Sequence, residues 1–359
     1  MGAGSIGNHL ANASRTLGWH VDLCDVDTSA LERTRTEIYP SRYGNWDEQI
    51  HLFQNNDAPV GGYDLILIGT PPNVHISLAM KALEERPKAV VIEKPICGPD
   101  LLGAQQMYER AKELGVAIFV GYDHVVGKAS RIASNITKTD FLGSVRTLDV
   151  EFREHWGGIF NAHPWLFGPS DSYLGNSMLG GGASGEHSHA VNLWQHFAGE
   201  IGGGRVIEVQ ATLDMVNDGK VSYDRICAMN LYTENGIVGR CIQDVVTKPP
   251  RKWARIQYEN GHIEWHCGRE PGVDFVCAEL PGKITLEQRI QKTRPDDFIE
   301  ELMHIDKLLD SNSKDSPISI DRGLDTMLVI AAAHLSHSSG RRVLIDYSKG
   351  YCHEAIRTI

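Results

Sequence analysis

Four short apolar runs, separated by stretches with helical periodicity, constrain the first third of this chain more than anything else in it. They are Val21-Asp22-Leu23-Cys24-Asp25, Tyr63 to Thr70, Ala89-Val90-Val91-Ile92 and Val116 to Val120. A helix carrying Ile6, Leu10 and Leu17 stops at Gly18, and a second opens at Asp27-Thr28-Ser29 and runs toward Tyr39. His75 to Glu85 and Pro99 to Leu114 are also helical in pattern. Strands that alternate with amphipathic helices predict a parallel, doubly wound α/β sheet.

Beyond about residue 140 the pattern changes to longer alternating runs, at Val206 to Met215, Ile226 to Tyr232, Ile237 to Val246 and Trp253 to Tyr258. Asn235-Gly236 and Asn260-Gly261 read as hairpin turns, because asparagine and glycine accept the positive φ such turns require. A mostly antiparallel sheet is expected, followed by helices over about Pro295 to Leu309 and Arg322 to Ser336. The chain of 359 residues thus divides into residues 1–123 and 124–359, with the last helices packing back on the first domain.

A formal net charge of −11 argues against a nucleic-acid surface. No apolar run approaches the roughly 18 residues of a membrane span, and neither a basic start nor an apolar leader core follows Met1. Seven scattered cysteines, odd in number and without a CxxC pair, suit reduced thiols in a cytoplasmic protein.

Gly2-Ala3-Gly4-Ser5-Ile6-Gly7 has the G-x-G-x-x-G spacing of a dinucleotide cradle. The first glycine allows the tight turn, the second lets a pyrophosphate approach the backbone, and the third lets helix and sheet pack closely. Asp25 closes the next strand, where an acid hydrogen-bonds a ribose 2′-hydroxyl and repels a 2′-phosphate, so NAD is favoured over NADP. Only Met1 precedes the motif, where a central strand belongs; about five to eight apolar residues are expected ahead of it.

Glu93-Lys94-Pro95 leaves a lysine at the carboxyl end of a buried strand, the edge where α/β sheets bind ligands. A second cluster, Gly180-Gly181-Gly182-Ala183-Ser184-Gly185-Glu186-His187-Ser188-His189, reads as a glycine-rich approach to a helix capped by Ser184. On that helix Glu186 and His189 share a face, so the carboxylate can steady the charged form of a proton-exchanging histidine. The same residues also suit a plain helix start and a packed histidine. His187, His189 and His196 do not form an HExxH pattern, and no metal is expected. Trp165 and Tyr173 offer apolar faces to a sugar ring or to the core, and Lys248, Arg251, Lys252 and Arg255 read as a solvated basic loop.

With Gly69-Thr70-Pro71-Pro72-Asn73-Val74-His75 and Val120-Gly121-Tyr122-Asp123 added, these motifs resemble, in order and over about half the chain, the Gfo/Idh/MocA oxidoreductases. The resemblance implies a Rossmann domain and a second α/β domain whose open sheet makes homodimer or homotetramer contacts. It implies hydride transfer between nicotinamide and a secondary alcohol of a sugar, cyclitol or sugar derivative. By motif position, Lys94 matches the lysine near the reacting hydroxyl and His189 the histidine that exchanges its proton. Gly2, Gly4, Ser5, Ile6, Gly7, Asp25, Thr70, Pro71, Asn73, His75, Glu93 and Asp123 fall on the cofactor-binding motifs.

Two positions depart from the family pattern. Gly185 stands where the family has an aspartate four residues before the histidine, which makes Glu186 its substitute, and Asp123-His124 replaces the usual asparagine and basic residue. Two other functions stay open: a glycosidase or lyase that uses NAD as an internal redox shuttle, and a regulator that senses NAD or sugar without turnover. Retention of Lys94 and His189 speaks against the regulator; Gly185 and the missing strand speak for it.

Overall fold

Ala89–Ile92 is buried on both faces and pairs in parallel with a strand on each side, which is why four aliphatic residues in a row can form it. The computed structural model describes residues 1–55, 57–161, 165–311 and 313–359. The first domain runs α1 (Ser5–Thr16), β1 (Val21–Asp25), α2 (Thr28–Arg33), α3 (Tyr39–Tyr43), β2 (Ile50–Gln54), β3 (Leu65–Ile68), α4 (His75–Glu84), β4 (Ala89–Ile92), α5 (Ala104–Leu114) and β5 (Ala117–Val120). All its ladders are parallel, β1 with β2 and β3 with β4 with β5. The sequence pattern did not reveal β2, an edge strand with His51 and Gln54 exposed.

The two groups of strands are joined through Met1 to Ala3. The Met1 amino group donates to the Leu67 carbonyl (2.7 Å), Gly69 N–H donates to the Met1 carbonyl (2.9 Å), and Gly2 N–H donates to the Cys24 carbonyl (2.8 Å). Beside this bridge a cavity of about 910 Å³ lies between α1, β1 and β3, lined by Leu10, Trp19, Leu23, Leu65, Leu67 and Leu309 among others.

The chain continues with α6 (Asp123–Val126), α7 (Lys128–Thr137), β6 (Val145–Arg153), α8 (Gly157–Asn161), α9 (Gly182–Glu186) and α10 (His189–Glu200). Then come β7 (Val206–Asn217), β8 (Ser222–Thr233), β9 (Val238–Asp244), β10 (Arg251–Tyr258), β11 (His262–Glu270), β12 (Val273–Leu280) and β13 (Lys283–Gln291). The chain closes with α11 (Arg294–Asp310), α12 (Ile320–Ser339), β14 (Val343–Ile345) and β15 (Ile356–Thr358). The sheet order is β13-β12-β11-β10-β6-β9-β8-β7-β14-β15; β6 and β9 are parallel, the other ladders antiparallel. Helices α7, α10 and α12 pack on it, and Phe152, Trp194 and Trp265 are fully buried there.

Both Asn-Gly pairs turn hairpins, for reasons other than those expected. Neither asparagine has positive φ; Gly236 alone does (85°), closing a short loop between Thr233 and Ile237. Gly261 is needed for space, because a Cβ there would lie 2.1 Å from the Glu279 carbonyl oxygen on the neighbouring strand.

The last helices return to the first domain. Helix α11 packs against α1 and α6, α12 packs against β5, and Val120 N–H donates to the Ile318 carbonyl (2.8 Å). Among the described residues, no helix is long and apolar enough to cross a membrane.

Candidate functional site

The loops after β3, β4 and β5 meet at the carboxyl edge of the parallel strands. Gly7 lets α1 sit on the glycine turn, since a Cβ at Gly7 would lie 1.8 Å from the Gly2 carbonyl oxygen, whereas Gly4 opens onto free space. The α1 amino end has no side-chain cap, and Arg42 donates to the Ser5 carbonyl (3.0 Å) and to Ser5 Oγ (2.9 Å). Uncapped N–H groups with a cation beside them suit a pyrophosphate. Asp25 uses its carboxylate to hold this turn, accepting from Ala3 N–H (2.7 Å) and Asp27 N–H (2.9 Å). Among the described residues, buried Thr70 Oγ1 and Glu93 Oε1 have no hydrogen-bond partner, and both fit a polar ligand. The residues present therefore fit a dinucleotide.

Ile6 is half-buried behind the turn, packed on the core, and Pro71 and Asn73 are exposed on the loop after β3. His75 lies beneath that loop, wholly buried, with Nδ1 2.9 Å from the Pro95 carbonyl oxygen and Nε2 2.7 Å from that of Thr70. Burial brings its pKa down to about 4 against the pull of the two carbonyls, and in its neutral form the imidazole donates to only one of them.

Lys94, ahead of a cis Lys94–Pro95 bond, crosses to the second domain. Its Nζ donates to the Glu186 carbonyl (2.8 Å) and meets Glu186 Oε1 at 3.3 Å. The expected pairing of Glu186 with His189 is therefore replaced. Glu186 ends α9 and His189 begins α10, so a break at His187 and Ser188 removes the shared helical face. Ser184 lies within α9, whose N-cap is Gly181, and Ser184 N–H and Oγ bond Asp224 at 2.7 and 3.0 Å.

The carboxylate beside His189 is Asp123, at the start of α6, with Oδ1 3.7 Å from His189 Nδ1. Oδ1 is equally 3.7 Å from His124 Nδ1, and among the described residues neither Asp123 Oδ1 nor His189 Nδ1 has a hydrogen-bond partner. Burial works against an ionised Asp123, but the cations around it, Arg294 among them with Nη1 3.3 Å from Oδ2, hold its pKa below the usual carboxylate value. Burial pushes His189 well below the ordinary histidine pKa, with Asp123 opposing. The pair thus stands as a neutral imidazole beside an anion, ready to take a proton. Phe152 stacks on His189 (centroids 6.3 Å apart, 18° between planes), and Tyr122 and His124 pack around it.

Sequence reasoning also missed Lys252. It lies on β10, opposite Phe152, with Nζ 3.0 Å from Glu154 Oε2, so it is no part of a solvated loop. Its signal was present: Lys252 shares the strand register of buried Ala254 and Ile256. Trp165 lies under the Arg33 guanidinium (5.6 Å to the ring centroid), and Tyr173 packs in a cluster with Trp156 and Leu174. Residues 162–164, which include His163 and Pro164 ahead of Trp165, lie outside the described residues.

Among the described residues, Asp123, His124 and His189 form one group with metal-ligand spacing, and His262, Glu264 and Cys277 another. In the first group Arg294 already takes Asp123 (3.3 Å). In the second group Arg255 already takes Glu264 (3.3 Å).

Glu93 carries a pH dependence. Burial raises its pKa to about 7, with Lys94 opposing. A folded-state pKa above the unfolded value means stability from this group is full in acid and is lost as pH rises toward 7. Glu93→Gln removes that loss, so its melting temperature relative to wild type is expected to climb between pH 5 and pH 8 without ligand; a constant difference refutes the assignment.

A parallel sheet with a glycine-turn dinucleotide cradle and a lysine and histidine at its carboxyl edge defines an NAD-binding oxidoreductase. Residues 1–122 match the family described as "Oxidoreductase family, NAD-binding Rossmann fold", Gfo/Idh/MocA. No curated protein matches it in sequence. An oxidoreductase from Agrobacterium radiobacter, solved with NAD+, L-tartaric acid and magnesium, is similar in structure (TM-score 0.73, 19% identity, covering 96% of each chain). So are a levoglucosan dehydrogenase with NADH and L-sorbose (0.74, 15%, 94% of each chain) and the WlbA dehydrogenase from Bordetella pertussis with NADH and UDP-GlcNAcA (0.68, 18%, 95% of this chain and 96% of that one). At these identities the likeness establishes the fold.

Proposed function

We propose that the protein transfers a hydride between NAD and a secondary alcohol or ketone of a sugar, cyclitol or sugar derivative. The observation that carries this reading is the convergence of Lys94 and the Asp123–His189 pair beside the dinucleotide cradle. The sugar-type ligands of the levoglucosan and WlbA dehydrogenases support the substrate class.

In the oxidative direction, the substrate carbon gives up hydrogen with its electron pair as the hydroxyl loses its proton, and a ketone results. NAD, when bound, supplies the hydride acceptor. His189 takes the proton on its free nitrogen, and Asp123 stabilises the imidazolium that forms. Lys94 donates a hydrogen bond to the reacting oxygen and stabilises its developing negative charge. Gly2, Gly4, Ser5, Ile6 and Gly7 receive the pyrophosphate, and Asp25, Thr70, Pro71, Asn73 and Glu93 border the rest of the cofactor, with His75 bracing the loops.

A division near residue 123 and a homodimer or homotetramer formed through the ten-stranded sheet accompany this reading. Arg240, Trp253 and Arg255 alternate with the core-facing residues of β9 and β10 and so lie on the sheet's other face. The seven free cysteines support a reducing, cytoplasmic setting.

Incubation with NAD and a panel of sugars, cyclitols and sugar derivatives tests the reading. Accumulating NADH is expected with at least one. Cleavage of a glycoside without net NADH would favour the internal redox shuttle, and NAD binding without turnover of any compound would favour a sensor.

A further inference from the structure

Beside the proposed hydride-transfer site lies a polar cluster that the mechanism does not use. Lys252 on β10 sits opposite Phe152 on β6, and Glu154 follows directly after the end of β6. Since Phe152 stacks on His189, this layer adjoins the proton-transfer histidine. Glu154 Oε2 and Lys252 Nζ are 3.0 Å apart, each about a quarter exposed. Burial acts against both charges, but their attraction, with His187 and Arg294 also favouring the Glu154 anion and Cys267 the Lys252 cation, leaves both shifted toward the charged form. His187, after the end of α9, is held by Gln243 Nε2 donating to its carbonyl (2.6 Å), and its own Nε2 is buried with no partner.

We propose that Glu154, Lys252 and His187 form a substrate-orienting subsite that selects a neutral polyhydroxyl substrate over an acidic sugar; this rests on the sugar-oxidoreductase reading above. A hydroxyl can donate to Glu154 and accept from Lys252 at the same time, whereas a carboxylate only accepts and meets Glu154 as a like charge. The ion pair has no net charge to offer an anion. The other cations near the site are matched in the same way: Lys94 by Glu186, Lys292 by Asp274 and Asp297, and Arg294 by Asp123 and Asp297. The unpartnered His187 nitrogen is a further neutral hydrogen-bonding group of the kind a neighbouring hydroxyl satisfies.

The test compares neutral sugars and cyclitols with the corresponding uronates. It uses kcat/KM with NAD, and calorimetric titration of the NADH-bound protein, for wild type, E154Q and K252M. Wild type is expected to favour the neutral ligands. E154Q frees the Lys252 charge and should shift selectivity toward uronates by about tenfold, and K252M should shift it the opposite way. Opposite signs mark a charge effect; a merely structural role moves both variants the same way. Wild-type preference for uronates, or shifts of one sign, overturns the proposal. If no compound is turned over, the hydride-transfer reading fails by itself, while the titrations still decide selectivity: neutral preference supports the subsite, and no preference overturns it.

Discussion

Replacing His189 by alanine is expected to lower kcat for alcohol oxidation about a thousandfold, roughly 4 kcal/mol of barrier, while NAD affinity changes less than about threefold. The imidazole is neutral because burial pushes its pKa well below the ordinary value, so it accepts a proton without first having to lose one. Asp123→Asn separates its two influences. Asp123 raises the His189 pKa, so removing the charge makes the base weaker. The acid limb of the kcat/KM profile should then move to lower pH while the plateau falls. Rapid-mixing measurement of hydride transfer and fluorescence titration of NAD check both effects; a plateau unchanged in His189→Ala excludes it as the base.

Lys94→Met is the second large effect, a loss of about a hundredfold to a thousandfold in kcat, because a preorganised donor to a developing oxyanion acts mainly in the transition state. Lys94 also bridges domains through Glu186, so a stability change has to be kept apart from a chemical one. Glu186→Gln weakens the bridge and keeps the lysine. It should retain most turnover and melt only slightly lower, whereas Lys94→Met loses turnover even where it remains folded. Equal losses in both variants would make Lys94 a brace and leave the oxygen without its donor.

Much of this was legible in the sequence, and the failures share a cause. Residues 89–92 identified their own strand, because a central parallel strand must be apolar throughout. The glycine turn, Asp25 and Glu93-Lys94-Pro95 likewise depend on local spacing. Glu186 lies three residues before His189, and the shared face that this spacing predicts is lost because the helix breaks between them. Asp123 reaches His189 across 66 residues of chain, a pairing that periodicity cannot report. Lys252 was lost differently: four basic residues were read as a run, although alternation places Lys252 with Ala254 and Ile256.

The return of α11 and α12 to the first domain bears on how the molecule comes apart. Ile318 and Ser319 bond the β5 segment, α12 also packs on β7, and α11 lies on α1. The border between domains in space is therefore not a border in the chain. Cleaving the backbone near residue 123 would sever one crossing and leave these contacts in place, so the halves should remain associated as a nicked complex. Release of the NAD-binding half requires detaching both α11 and α12, which couples the unfolding of one domain to the integrity of the other.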